Sequence, residues 1–254
     1  MMRFVRPLVI AAALVLLWQL IVWLSGAPHF ILPAPARVAE AWWAHRMTIL
    51  GHAGVTLLEI ALGLLCGVAL GVSSALTLAY FRPARRWLLP LLVASQAVPV
   101  FALAPILVLW LGYGIASKVA MATLIIYFPV AAAFFDGLRR TEPGWTDLAR
   151  TMGAGRWTML MRIRVPAALP ALASGLRVAT AVAPIGAVVG EWVGASAGLG
   201  YLMLHANARV QTDLMFAALL TLAFFAVILY FIVDSGLRRA LPWQPDKLPD
   251  QQQE

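Results

Sequence analysis

Charge is scarce in this sequence. Asp, Glu, Lys and Arg make up only 12% of the 254 residues, and 62% are hydrophobic, whereas a soluble domain carries about 25% charged and about 45–50% apolar residues. That balance argues against a soluble enzyme, a disordered chain or a coiled coil. Cysteine is nearly absent. Cys66 stands alone in an apolar stretch, which rules out an internal disulfide or a thiolate metal cluster and suits a small packing residue. Catalytic signatures are missing too. The sequence has no G-x-x-x-x-G-K-[ST] loop to cradle a nucleotide phosphate and no H-E-x-x-H. His29, His45 and His52 are too scattered for a metal site, and His205 and Asp136 have no evident companions. No cofactor, no metal and no enzymatic chemistry are expected of this chain. No acidic pair shows within the apolar stretches, which speaks against proton coupling, since proton relays need buried titratable groups.

What is present is a series of long uncharged runs. Six of them read as membrane spans of ~20 residues: Pro7–Leu24, Ile60–Phe81, a third within Trp87–Ser117, Val119–Phe135, Ala167–Gly190 and Leu214–Val233. The first follows Arg3 and Arg6 as a signal peptide would, but its length and the lack of an A-x-A site mark it as a retained helix. The net charge of +8 lies between the runs, not over a polar surface, so no nucleic-acid partner is expected. Placing the N-terminus, the 82–86 turn, the 137–166 loop and the tail in the cytoplasm puts fourteen of the nineteen basic residues there. Arg37, Arg46, Lys118 and Arg209 face the other way, and Arg177 lies within a span. The positive-inside rule then gives N-in, C-in. Three regions follow: residues 1–58, the first span and an outer interfacial segment; residues 59–240, the transmembrane core with its 141–166 loop; and residues 241–254, a Pro- and Gln-rich tail expected to be disordered. The segment from Ser25 to Glu59 opens with proline punctuation, Ile31-Leu32-Pro33-Ala34-Pro35, and then reads as an interfacial helix on the outer surface leading into span two.

Within the spans, Gly63, Gly67 and Gly71 recur every four residues, a face that admits a close helix neighbour. The pattern fits packing within one subunit or a dimer face. Span three carries Pro90, Pro99 and Pro105, and the carbonyls that proline frees cannot be satisfied by lipid. The stretch Gln96 to Pro105, with Pro99 and Phe101, is therefore the first candidate for lining a solute path. Arg177 should face the interior and need a partner, in a structural role or against solute. Glu191, at the outer end of span five, is either interfacial or part of a gate.

The loop between spans four and five is polar and patterned. Thr141 can cap a helix that begins at Glu142–Pro143. Trp145, Leu148, Ala149 and Met152 then form one apolar stripe, Gly153 ends the helix, and Arg156 to Ile163 makes a second short helix. Such an element either docks into a groove on a soluble partner or lies on anionic lipid through Arg150, Arg156, Arg162 and Arg164. Physical reasoning alone leaves both open.

The run Asp147-Leu148-Ala149, then Gly153, then Ile163-Arg164-Val165-Pro166 resembles the EAA loop of the inner-membrane permeases of binding-protein-dependent ABC importers. Asp147, Leu148 and Val165 depart from the Glu, Ala and Leu usual there. Leu32-Pro33-Ala34-Pro35, Ser174-Gly175-Leu176-Arg177 and Gly198-Leu199-Gly200-Tyr201 resemble the sulfonate, taurine, nitrate and thiamine-precursor branch. Ser95 to Pro105 with Phe134-Phe135-Asp136-Gly137-Leu138 is most similar to permeases for pyrimidine precursors of thiamine. The resemblance implies an all-α membrane protein with the type I ABC importer permease fold, in the bacterial inner membrane, working by alternating access. It implies a cytoplasmic ABC ATPase, a periplasmic solute-binding protein and a second permease copy as partners, besides membrane lipid. Asp147, Leu148, Ala149, Met152, Gly153, Ile163 and Pro166 would couple the chain to the ATPase. Other readings are a secondary transporter, which should show inverted repeats, an intramembrane enzyme and a scaffold for a cytosolic protein.

Overall fold

The structure, a computed structural model, describes residues 2–81, 83–87, 90 and 98–243. The principal elements are helical: α1 (Met2–Ser25), α2 (Pro35–Ala44), α3 (Arg46–Tyr80), α4 (Val100–Leu111), α5 (Ile115–Arg139), α6 (Pro143–Thr151), α7 (Arg156–Met159), α8 (Val165–Gly194), α9 (Leu199–Ala208) and α10 (Thr212–Ala240). No strand occurs among the described residues. The stretches Arg46–Tyr80, Ile115–Arg139, Arg156–Gly194 and Thr212–Ala240 are each long and apolar enough to cross a membrane. The apolar part of α1, Val9–Ser25, and α4 are shorter. Five of the expected spans coincide with helices. The third lies partly outside the described residues; the part that is described includes α4, whose 12 residues rise ~18 Å.

Small residues let three of these helices nest. Gly63, Gly67 and Gly71 of α3 face Ala122, Ile126 and Val130 of α5, so the two helices run parallel in register. Helix α8 runs antiparallel to α5: Gly137 meets Ala168 and Ala171, Gly175 meets Pro129 and Ala133, and Gly186 meets Ala122. The glycine ladder thus serves packing within the chain. Between these helices lies a core of small and branched side chains, Ile60, Ala122, Ile126, Val130, Ala179, Ala183 and Ala187. The large apolar side chains Leu65, Leu70, Phe224, Phe231 and Ile232 point outward, as a lipid-facing surface requires. Gly186 faces backbone rather than a side chain. A Cβ there would sit 2.7 Å from the Ala122 backbone, which cannot rotate away. Gly186→Ala is expected to destabilise the bundle by about 1–3 kcal/mol, read as a lower melting temperature in mild detergent. A native melting curve would show that α5 and α8 have slack at this point.

Three local expectations change. The helix expected after Pro35 is not continuous. Helix α2 ends at Ala44, and α3 starts at Arg46 just after a break at His45 (φ −107°, ψ 16°). Nothing between residues 46 and 59 halts a helix, because no proline occurs there, so a boundary at 58/59 would cut through α3. Thr141 does not cap α6. Its hydroxyl donates back to the Leu138 carbonyl, and Glu142 is the N-cap, with Pro143 opening the helix. Arg156–Ile163 is not a separate short helix either. It continues through a wide π-helical turn, Leu160–Arg164, straight into α8. That turn precedes Pro166, which has no N–H to return to the turn before it.

Candidate functional site

The two ends of the bundle hold the polar chemistry. At one end α6 closes on Gly153. The Ala154 N–H donates to the Ala149 carbonyl and the Gly153 N–H to the Arg150 carbonyl, both at 2.9 Å, and Gly153 adopts φ +79°. This is the Schellman ending that a left-handed glycine permits. The expected stripe divides. Trp145, Leu148 and Met152 are exposed, whereas Ala149 is buried. Leu148, Ala149, Met152, Ile163 and Pro166 come together with Trp145, Pro170 and Trp243 around an open cavity of about 620 Å³. Asp147 stays outside it, paired with Arg150 at 2.7 Å on the surface. Two strings of residues separated by ten positions thus form one apolar face.

The expected solute-path residues that are described lie on α4, apart from Glu191. Gln96 lies outside the described residues. Pro99 caps α4 and Pro105 sits inside it, and Pro99, Phe101 and Pro105 are all exposed on that helix.

Glu191 is elsewhere, at the opposite end from the loop, and only 1% exposed. Its Oε1 accepts a bond from the Thr56 hydroxyl at 2.6 Å. Its Oε2 accepts from the backbone N–H groups of Gly200 and Tyr201, the latter at 3.3 Å. The Leu199 N–H donates to Thr56 Oγ1 at 2.8 Å, and the Gly198 N–H to His52 Nδ1 at 3.0 Å. The N–H groups that open α9, which its own turn leaves without partners, are therefore all taken by side chains of α3 and α8. The Gly198-Leu199-Gly200-Tyr201 motif acquires a physical reason. Gly198 has φ +115° and lies directly over the Glu191 carboxyl, and a Cβ on Gly200 would come 2.8 Å from Oε2. Only glycine lets the backbone settle onto the carboxylate.

A second acid completes this cluster and overturns an expectation. Glu59, also 1% exposed, lies near the Glu191 carboxyl and Lys118, and its Oε2 is buried without a hydrogen-bond partner. An interior acidic pair therefore exists. The Lys118 ammonium itself donates to the carbonyls of Tyr113 and Gly114 at 2.8 and 3.1 Å. Sequence reasoning missed Thr56 and Glu59. The available signal was the stripe His52, Thr56, Glu59 at i, i+4, i+7 on an apolar helix.

Arg177 finds the partner its position demanded. Its Nε donates to Asp234 Oδ1 at 2.6 Å, and Arg238 binds the other oxygen at 2.8 Å, tying α8 to α10. Arg177→Ala is expected to lower stability by about 2 kcal/mol, tempered because Arg238 still holds Asp234. Unchanged melting in detergent, with altered solute selectivity, would give Arg177 the other role.

The sequence pattern described as "Binding-protein-dependent transport system inner membrane component" matches residues 67–242. The chain belongs to that permease family. A probable ABC transporter permease protein of Haemophilus influenzae is 56% identical, over 93% of this chain and 97% of its own. A riboflavin transport system permease protein of Chloroflexus aurantiacus is 40% identical, over 91% of this permease and 87% of its own length. A formylaminopyrimidine transport permease protein of Halalkalibacterium halodurans is 35% identical, over 94% and 96%. Among solved structures, a chain of the MetNI methionine ABC transporter in inward-facing conformations superposes with a TM-score of 0.68 at 17% identity, covering 77% of this permease and 97% of that chain. The permease therefore has the all-α fold of a type I ABC importer subunit and is a multi-pass protein of the bacterial inner membrane. The relatives are permease subunits, not ATPases.

Proposed function

We propose that this permease couples ATP hydrolysis by a separate cytoplasmic subunit to solute import by alternating access, working as a homodimer fed by a periplasmic binding protein. The observation that supports this most directly is the exposed apolar face of α6. Trp145, Leu148 and Met152 stand free on a short helix that is fixed to the bundle through Ala149, the Gly153 turn and the continuous α7–α8 rod. Exposed apolar side chains on a rigid element are an interface awaiting a partner. Force applied at α6 would pass along α8, whose far end holds Glu191 and thereby α9. The orientation that fits is N-in, C-in, with six spans and the α6 loop in the cytoplasm. Asp147, Leu148, Ala149, Met152, Gly153, Ile163 and Pro166 would form or support the coupling surface, and Pro99, Phe101 and Pro105 on the open face of α4 would meet the solute path at the dimer interface. With Gln96 they remain the candidate lining.

The solute we favour is a small planar nitrogen heterocycle, a pyrimidine precursor of thiamine. A relative at 35% identity is described as carrying formylaminopyrimidine, and one at 40% carries riboflavin, both nitrogen heteroaromatics. Sulfonate, taurine or nitrate is the second reading, from the residues shared with that branch.

Affinity purification of the tagged chain from its native membrane in mild detergent should bring down a nucleotide-binding subunit. In proteoliposomes that also hold the binding protein, formylaminopyrimidine should stimulate ATP hydrolysis and taurine should not. No ATPase after crosslinking in intact cells would overturn the importer mechanism. Stimulation by taurine alone would overturn only the solute.

A further inference from the structure

A second pocket of about 330 Å³, sharing no lining residue with the apolar cavity, lies beside the α6 loop. Arg150, Arg156 and Arg164 line it, with Tyr80 and an apolar floor of Ala79, Met159 and Leu160. Its charge is one-sided. Arg150 shares an exposed pair with Asp147, and among the described residues no ion pair engages Arg156 or Arg164. The Arg164 Nε is shut off from solvent and has no hydrogen-bond partner. A donor buried without an acceptor marks a place for one.

We infer that this pocket holds the phosphate group of an anionic phospholipid headgroup. Guanidinium forks match the oxygens of a phosphate, and three of them from two segments converge on one space. The depth of the pocket selects a lipid over a soluble phosphate. Tyr80 is the last residue of α3, just where its apolar run gives way to Arg85 and Arg86. Tyr80 meets Phe81 and Trp157 edge-on at 4.8 and 5.7 Å, and such aromatic groups gather at the level of the headgroups. The apolar floor continues from the lipid-facing end of α3, so acyl chains could leave the pocket along that helix. Basic pockets at this level are the places where acidic headgroups bind. The inference requires only that α3 spans the membrane. It does not depend on an ATPase or on the solute.

The test is lipid retention by the full chain in detergent, followed by native mass spectrometry, with phosphatidylglycerol, phosphatidylcholine or inorganic phosphate added separately. Phosphatidylglycerol should be retained and phosphatidylcholine should not. Arg156→Gln and Arg164→Gln should each weaken retention about five-fold. Arg162→Gln, which lines the other cavity, should leave it unchanged. Arg156 is exposed, so its substitution keeps the test open even where Arg164→Gln misfolds. Equal retention of the two lipids, or an equal loss in Arg162→Gln, would overturn the pocket as a specific site. Saturable binding of inorganic phosphate that is weakened in Arg156→Gln, with no preference between the lipids, would confirm the phosphate chemistry but overturn the lipid as its source.

Discussion

Glu191→Ala is expected to unfold at a markedly lower temperature than the native permease, with a loss of about 3–5 kcal/mol. The substitution removes both carboxylate oxygens, and with them the acceptors for the Thr56 hydroxyl and for the N–H groups of Gly200 and Tyr201. Each is a buried or half-buried donor that water cannot reach, and each such orphan costs about 1–3 kcal/mol. It also empties the space beneath Gly198. Glu191→Gln should fall between, because an amide keeps one acceptor oxygen but turns its NH₂ against a donor. Thr56→Val, nearly the same shape, should lose less, since only the Leu199 N–H and one bond to Glu191 are affected. Intrinsic fluorescence melting in detergent, with limited proteolysis of the 195–211 region, reads both effects. Native melting of Glu191→Ala would mean that α9 is held by its apolar contacts, Leu199, Leu202 and Met203, and that the carboxylate is incidental to the fold.

Gly153→Val should have the opposite signature: a bundle that melts nearly as the native one does, but no ATP-driven uptake. No atom lies within 4 Å of a Cβ at Gly153, so the substitution clashes with nothing. Its cost is conformational. A φ of +79° is strained by about 1–2 kcal/mol for an ordinary residue and more for a β-branched one. The Schellman turn then opens, and α6 loses the angle at which Leu148 and Met152 are presented. Gly153→Asn, which tolerates the left-handed region, should retain most of the uptake. Under the proposed coupling role, Gly153→Val should also co-purify less ATPase. Normal uptake by this variant would remove the α6 turn from the coupling path.

Much of this protein can be read locally. A membrane helix is a property of its own composition, because the backbone must satisfy itself within each segment, so five of the expected spans coincide with helices. The ending of α6 at Gly153 is equally local, since it depends on one residue's φ and on hydrogen bonds within six residues. The glycine spacing of α3 announced a close neighbour but not which one. Only assembly showed it to be α5, through Ala122, Ile126 and Val130. The long-range polar partners were not legible. Thr56 and Glu191 are 135 positions apart, and Arg177 and Asp234 are 57 apart. Local composition and spacing dictate where the chain is apolar enough to enter a membrane and where its one patterned loop turns. Which polar groups meet inside was decided by the tertiary structure alone. The reason is physical: where one helix crosses another depends on the fit of their surfaces, and a buried acid is stable only where that fit delivers donors to it.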